Sequence, residues 1–271
     1  MDIELVEIPK WNCCGAVSSL TADDVMHHVA PIRNLIRVIE MNEEGLVNDE
    51  KRLIVFCSMC FNVLRRSNKR VKEDPKFLET INSFMDEERD YDGSVKVMHF
   101  LEILRDIGFY KVKERVKKPL KGLKVSAYYG CTLLRPRGVG IDDPEAPSIM
   151  EKFIESLGAE VVDNPYKSLC CGSYHTVGGN KELVAERAYK IINAARERGA
   201  DLIITSCPLC AFNLDNRQEL TKKIHPDFEH MPVLYFTQLM ALAMGMESET
   251  GFDGNYIDPR PLLRERGFLE G

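Results

Sequence analysis

A chain of 271 residues, 44% hydrophobic and 29% charged, is long enough for two small domains or one large one and can bury a core without disulfide staples. A net charge of −6 makes nucleic acid a poor partner, and the opening Met1-Asp2-Ile3-Glu4-Leu5 is neither basic nor followed by the long apolar run of a secretory leader. The most apolar stretch, 232–245, is too short to span a bilayer and contains Thr237 and Gln238, so the chain reads as soluble and cytoplasmic, where clustered cysteines are metal ligands or redox groups rather than disulfides.

In chain order, residues 3–7 read as a strand leading to Cys13-Cys14-Gly15. A helical region over 23–40 follows, with Pro31 expected to kink or split it. Residues 53–56 form a strand that runs into Cys57-Ser58-Met59-Cys60. The basic stretch 65–72 and the acidic stretch 86–92 read as solvated faces, and the basic run 111–121 as a connector between units rather than a docking surface. A second strand signal, 123–130, runs into Cys131 and is followed by a Pro-rich loop, 135–147. Ser148 is placed to cap a helix reaching Leu157, stopped by Gly158. Residues 159–163 are a strand leading to Cys170-Cys171-Gly172. Val184, Ala188, Ile191, Ile192 and Ala195 keep helical spacing over 181–198, and Gly199 ends that helix. The apolar strand 202–205 runs into Cys207-Pro208-Leu209-Cys210, and 247–271 reads as a surface-wrapping tail.

The order repeats. Residues 3–7 match 159–163, 53–56 match 202–205, and Phe61-Asn62-Val63-Leu64 answers to Phe212-Asn213-Leu214 shifted by one. The organisation is therefore a first unit over 1–115, a second over 120–247 and a tail over 248–271. The fold class is α/β: two pseudo-equivalent units with short parallel strands, flanking helices and cysteines at the loop ends of strands. Cys131 has no counterpart in the first unit, which therefore reads as incomplete at its N-terminal side, with Met1 an internal methionine of a longer protein; the alternatives are a degenerate first site or one completed by another chain.

Eight of the nine cysteines fall in the two Cys-Cys-Gly and two Cys-x-x-Cys groups. Thiolates are soft ligands suited to iron–sulfur clusters, zinc or copper(I). Adjacent cysteines point in different directions and suit a polynuclear cluster better than one tetrahedral ion, while Gly172 lets the backbone approach inorganic sulfide. A closed zinc site of Cys57, Cys60, Cys207 and Cys210 would leave both Cys-Cys pairs and Cys131 idle, and a thioredoxin-like dithiol needs only one Cys-x-x-Cys. The reading is iron–sulfur; a zinc-stabilised scaffold is the bland alternative. His175 and Tyr174, close behind the second Cys-Cys-Gly, are candidates for proton donation or for hydrogen bonding around a cluster. His27 and His28 read as surface or capping residues, Arg135 and Arg137 as loop charges, and Trp11, the single tryptophan, as packing. No Gly-x-Gly-x-x-Gly follows a strand and no Walker motif occurs, so electrons must arrive from another polypeptide.

A cysteine, then Cys-Cys-Gly 39 positions on, then Cys-Pro-x-Cys, is the pattern of the cysteine-rich CCG domain. Two such sets, with Trp11-Asn12-Cys13-Cys14-Gly15-Ala16, Ser206-Cys207-Pro208-Leu209-Cys210 and the stretch from Pro232 to Leu239, resemble the B subunit of CoB–CoM heterodisulfide reductase over about 2–245. The resemblance implies two noncubane [4Fe-4S] clusters. Cys131, Cys170, Cys171, Cys207 and Cys210 would hold one; Cys13, Cys14, Cys57 and Cys60 would hold the other, short of the family's first ligand. It implies a catalytic subunit that reduces CoM-S-S-CoB or an analogue to two thiols, as in methanogenesis, the substrate lying between two clusters that each deliver one electron. It also implies two partners from the same complex, the flavin-containing A subunit and the ferredoxin-like C subunit of heterodisulfide reductase. CCG domains of quinone-linked and 2-hydroxy-acid oxidoreductases imply the alternative of an electron relay without disulfide chemistry.

Overall fold

The computed structural model describes residues 3–16, 25–47 and 50–270, which form two compact units. The N-terminal unit comprises 2–103 together with 135–141; the C-terminal unit takes 104–134 and 142–271.

The N-terminal unit contains helix α1 (Met26–Glu43), strand β1 (Arg52–Val55), helices α2 (Ser58–Glu73) and α3 (Pro75–Phe84), and strand β2 (Lys96–His99), after which α4 (Phe100–Ile107) carries the chain onward. β1 and β2 pair in parallel, Arg52 opposite Lys96 and Val55 opposite His99, which a crossover through α2 and α3 makes possible. Helix α1 is continuous through Pro31 and is not split. An interior proline costs about 3 kcal/mol, but Ile32, Leu35, Ile36 and Ile39 are all fully buried on the same helix, each contributing about 1.5–3 kcal/mol. Asp23, the expected start of this helix, lies outside the described residues. Residues 3–7 are not a strand: Leu5 and Val6 stand about half exposed, and among the described residues no ladder forms with this stretch. Alternating apolar residues make a strand only where a neighbour supplies hydrogen bonds.

In the C-terminal unit, α5 (Phe109–Glu114) precedes β3 (Lys124–Tyr128), α6 (Ile149–Ser156), β4 (Glu160–Val162), α7 (Lys181–Glu197) and β5 (Leu202–Thr205). Then follow α8 (Pro208–Asn216), α9 (Gln218–Ile224), β6 (Val233–Tyr235), α10 (Phe236–Ala243) and α11 (Arg260–Glu265). All four strands are parallel, in the order β4-β3-β5-β6. The chain leaves β3 toward one edge and β5 toward the other, so the crevice beyond the carboxyl ends of β3 and β5 is a topological switch point, where open α/β sheets place their ligands. β5 is buried along its whole length, which is why it reads as an unbroken apolar run rather than an alternating one. The segment after 247 is no mere wrapping: Phe252, Leu263 and Phe268 are buried, and the Asp215 carboxylate accepts the Tyr256 and Ile257 N–H groups at 2.7 and 3.0 Å.

Ser148 precedes α6 as its cap position but makes no capping bond with its side chain. Asp142 does that work instead: its Oδ2 accepts the Ser148 and Ile149 N–H groups at 2.7 and 2.8 Å, and a carboxylate at a helix N-terminus is favoured by the dipole as well. Asp142→Ala should lower stability by about 1–2 kcal/mol, and Ser148→Ala by less than about 0.5 kcal/mol. Denaturant midpoints of the two variants check this; equal losses would return the cap to Ser148.

Candidate iron–sulfur centre

The sulfurs of the C-terminal unit are assembled from three strand ends. Beyond β3, the Tyr129 and Gly130 N–H groups both donate to the Lys167 carbonyl, at 2.8 and 3.1 Å, tying the approach to Cys131 to the approach to Cys170. Gly130 has a φ of +65°, and a Cβ there would stand 3.1 Å from Cys210 Sγ, so the main chain touches the sulfur directly. Cys207 occupies the N-cap position of α8, Pro208 follows at the first helical position, and Cys210 closes the first turn. After Cys171 the chain turns through two left-handed residues, Gly172 at +100° and Ser173 at +46°. That turn directs the Gly172 N–H at the Cys170 sulfur and the Ser173 N–H at the Cys171 sulfur. A side chain at Gly172 would meet Val184 Cγ2 of α7 at 3.0 Å.

The five sulfurs meet in pairs. Cys171 and Cys210 lie 3.5 Å apart, Cys131 hydrogen-bonds Cys170, and Cys207 hydrogen-bonds Cys210. Cys171, Cys207 and Cys210 are buried; Cys131 and Cys170 are half-buried. Crowding pulls their acidities apart. The Cys131 hydrogen bond, followed by that of Cys171, draws Cys170 down to about 2, and the same contact with Cys170 drives Cys131 up. Cys170 first, then burial, pushes Cys171 up to about 11, and Cys171 and Cys207 raise buried Cys210. Thiols packed this way cannot all ionise without a cation among them. Among the described residues, no three His, Cys, Asp or Glu side chains converge as the ligands of a single ion would. Five soft donors, three of them buried, and a backbone that withholds a side chain at Gly130 fit an iron–sulfur cluster.

Around the sulfurs stand residues that the motifs alone do not single out as functional. Tyr128 is fully buried and donates to the Leu169 carbonyl at 2.6 Å, and burial first, then the sulfurs, raises its pKa. Asn213 Nδ2 lies 3.3 Å from Cys171 Sγ. Its position three residues after Cys210 on one helix was the available signal. His175 is exposed, its N–H on the Gly172 carbonyl at 3.1 Å, and Tyr174 lies in the same 3₁₀ turn.

The N-terminal unit repeats the arrangement with fewer groups. Cys57 caps α2, its sulfur accepting the Cys60 N–H at 3.5 Å, and Cys60 Sγ lies 2.8 Å from Cys14 Sγ. The Cys60 hydrogen bond holds Cys57 down at about 7 and also lowers Cys14, while Cys60 is raised in turn. Cys13 is exposed. The turn is held against α1 by a clasp of amides: Asn12 N–H donates to Asn34 Oδ1 at 3.0 Å and Asn34 Nδ2 to the Asn12 carbonyl at 2.9 Å. Trp11 is 63% exposed, with Nε1 on Glu7, so it is not a packing residue. His28 lies between Ser67 and Arg70 and edge-on to Phe77. Arg135 and Arg137 belong to this unit, and the Arg135 carbonyl accepts from Asn62 Nδ2 at 2.6 Å. Each Cys-x-x-Cys thus meets the Cys-Cys-Gly of its own unit, which disfavours a four-thiolate zinc site built from the two Cys-x-x-Cys groups alone.

The model of the cysteine-rich domain matches residues 125–215. The chain is 35% identical to the 8-methylmenaquinol:fumarate reductase membrane anchor subunit of Wolinella succinogenes, over 97% of this chain and 89% of that one. It is 29% identical to the B subunit of the ferredoxin/F420H2-dependent CoB-CoM heterodisulfide reductase of Methanosarcina acetivorans, over 95% and 85%. A crystal structure of a hypothetical protein from Helicobacter pylori superposes with a TM-score of 0.64 at 14% identity, over 85% of this chain and 42% of that one, and shares the fold. Among the described residues no helix is long and apolar enough to cross a membrane.

One buried titratable group supports the N-terminal site from behind. His99 ends β2 fully buried; Leu101 N–H donates to its Nδ1 at 3.2 Å, so Nε2 carries the proton and donates to the Phe56 carbonyl at 3.1 Å, next to Cys57. Burial draws its pKa down to about 4. The folded protein therefore holds the neutral ring while the unfolded chain gains a proton near pH 6.5. Its contribution is complete above pH 6.5 and is lost as pH falls through 4, amounting to roughly 3 kcal/mol. His99→Gln should flatten stability between about pH 6.5 and 4, as measured by denaturant midpoints at about pH 7, 5.5 and 4.5; an acid slope equal to that of the parent protein would remove His99 from this role.

Proposed function

The chain belongs to the family of the heterodisulfide reductase B subunit, the cysteine-rich CCG proteins, and on that footing we propose that it is the iron–sulfur catalytic subunit of a multi-subunit oxidoreductase that reduces a disulfide, CoM-S-S-CoB or an analogue, to two thiols. The gathering of Cys131, Cys170, Cys171, Cys207 and Cys210 at the switch point of the parallel sheet carries the reading. These five would hold one noncubane [4Fe-4S] cluster, and Cys13, Cys14, Cys57 and Cys60 a second. A bound cluster supplies single electrons and Lewis-acidic iron that stabilises developing thiolate.

The chain's own residues prepare that chemistry. Buried Cys171, Cys207 and Cys210 keep the interior face dry. Half-buried Cys131 and Cys170 mark the side open to a substrate or partner. The N–H groups of Gly172 and Ser173 and the first turn of α8 place positive partial charge where the sulfurs carry negative charge. His175, exposed on the turn that follows, is the proposed proton source for the product thiolates. Electrons come from the flavin-containing and ferredoxin-like partners of the complex, in a compartment reducing enough to keep thiols free, the cytoplasm.

A second reading is favoured by one finding, the 35% identity to the anchor subunit of a quinol:fumarate reductase. In that reading the same cysteines relay electrons between a quinol and a partner protein, without disulfide chemistry.

Anaerobically prepared holoprotein should contain iron and acid-labile sulfide, and Cys171→Ser should lose most of the iron belonging to the C-terminal unit. With reduced viologen as donor, release of thiols from CoM-S-S-CoB, lowered at least about tenfold in the variant, supports the reductase, since loss of a ligand removes the cluster rather than tuning it. No thiol release together with rapid electron exchange with a menaquinone analogue selects the relay. Zinc without sulfide would end both.

A further inference from the structure

We propose that Asn213 is a positioning residue that raises the reduction potential of the C-terminal centre by donating its side-chain N–H to the Cys171 sulfur; the proposal rests on the iron–sulfur reading above. Asn213 is fully buried on α8, one turn after Cys210. Its Nδ2 reaches two acceptors, the Ser173 carbonyl at 3.1 Å and Cys171 Sγ at 3.3 Å. A carbonyl can only accept, so the contact with Ser173 fixes which end of the amide is nitrogen and leaves the second N–H for the sulfur. The amide oxygen is buried with no partner among the described residues. A fully buried amide that leaves its own oxygen unpaired is held for what its nitrogen does.

The carbonyl that fixes it belongs to Ser173, whose φ of +46° is uncommon for a residue with a side chain. The same turn brings the Ser173 N–H to Cys171, so backbone and side chain address one sulfur. Sulfur carries more negative charge in the reduced centre than in the oxidised one, so an N–H donor favours reduction. Removing a bond to a charged acceptor should shift the redox equilibrium about tenfold toward the oxidised form, which for one electron is about 59 mV.

The test uses anaerobic holoprotein. The parent, Asn213→Leu and Asn213→Asp are compared for iron and sulfide content and for midpoint potential by EPR-monitored titration. Full iron with a potential lowered about tenfold in equilibrium terms in Asn213→Leu, and further in Asn213→Asp, is the expected result. Full iron with an unshifted potential in both overturns the proposal. A parent protein without iron or sulfide instead overturns the reading on which it rests. Should either variant fail to fold or load, the parent itself decides: with asparagine labelled by ¹⁵N at the side-chain amide, pulsed EPR of the paramagnetic state should show coupling to that nitrogen, and its absence overturns the proposal.

Discussion

Everything in the C-terminal unit depends on forcing five thiols together at the carboxyl end of a parallel sheet. Sulfur atoms at hydrogen-bonding distance cannot share a buried space as anions, and as thiols they leave one another with conflicting protonation. Positive charge placed among them resolves the conflict. The surrounding architecture follows from that need: the chain leaves β3 and β5 toward opposite edges of the sheet, Gly130 withholds a side chain, and α8 presents the start of its dipole.

The two units solve the same local problem with the same devices. In each, the residue that follows the glycine of Cys-Cys-Gly donates its backbone N–H to the second cysteine: Ala16 to Cys14 and Ser173 to Cys171. In each, the first cysteine of Cys-x-x-Cys stands at the N-cap of a helix, Cys57 for α2 and Cys207 for α8. They differ in what surrounds these devices. The C-terminal sulfurs include Cys131 and sit in a four-stranded sheet; the N-terminal trio of Cys14, Cys57 and Cys60 sits beside a two-stranded one.

Local pattern carried much of this into view. The strand over 202–205 and the helix from 181 follow from an uninterrupted apolar run and from helical spacing, both properties of adjacent residues. The cysteine spacing pointed to soft-metal chemistry for the same reason. What stayed hidden was long-range. Residues 3–7 have the apolar content of a short strand, but among the described residues no strand pairs with them. Ser148 has the composition of a cap, yet a carboxylate six residues earlier folds back to take the position. Lys96 to His99 sets only two apolar residues between a lysine and a histidine, so no apolar run announces a strand, and its pairing with β1 across the crossover makes it one. Asn213 looks like any helix asparagine until the turn at Gly172 brings Cys171 against it.

Trp11 is the chain's single indole, standing open to solvent two residues before Cys13 and on the stretch of backbone that Asn34 clasps to α1. Tryptophan fluorescence is therefore not an average over the molecule. It is an optical label already built in beside the N-terminal Cys-Cys-Gly turn, with emission that responds to quenching by whatever those thiols bind and to a partner that covers the ring.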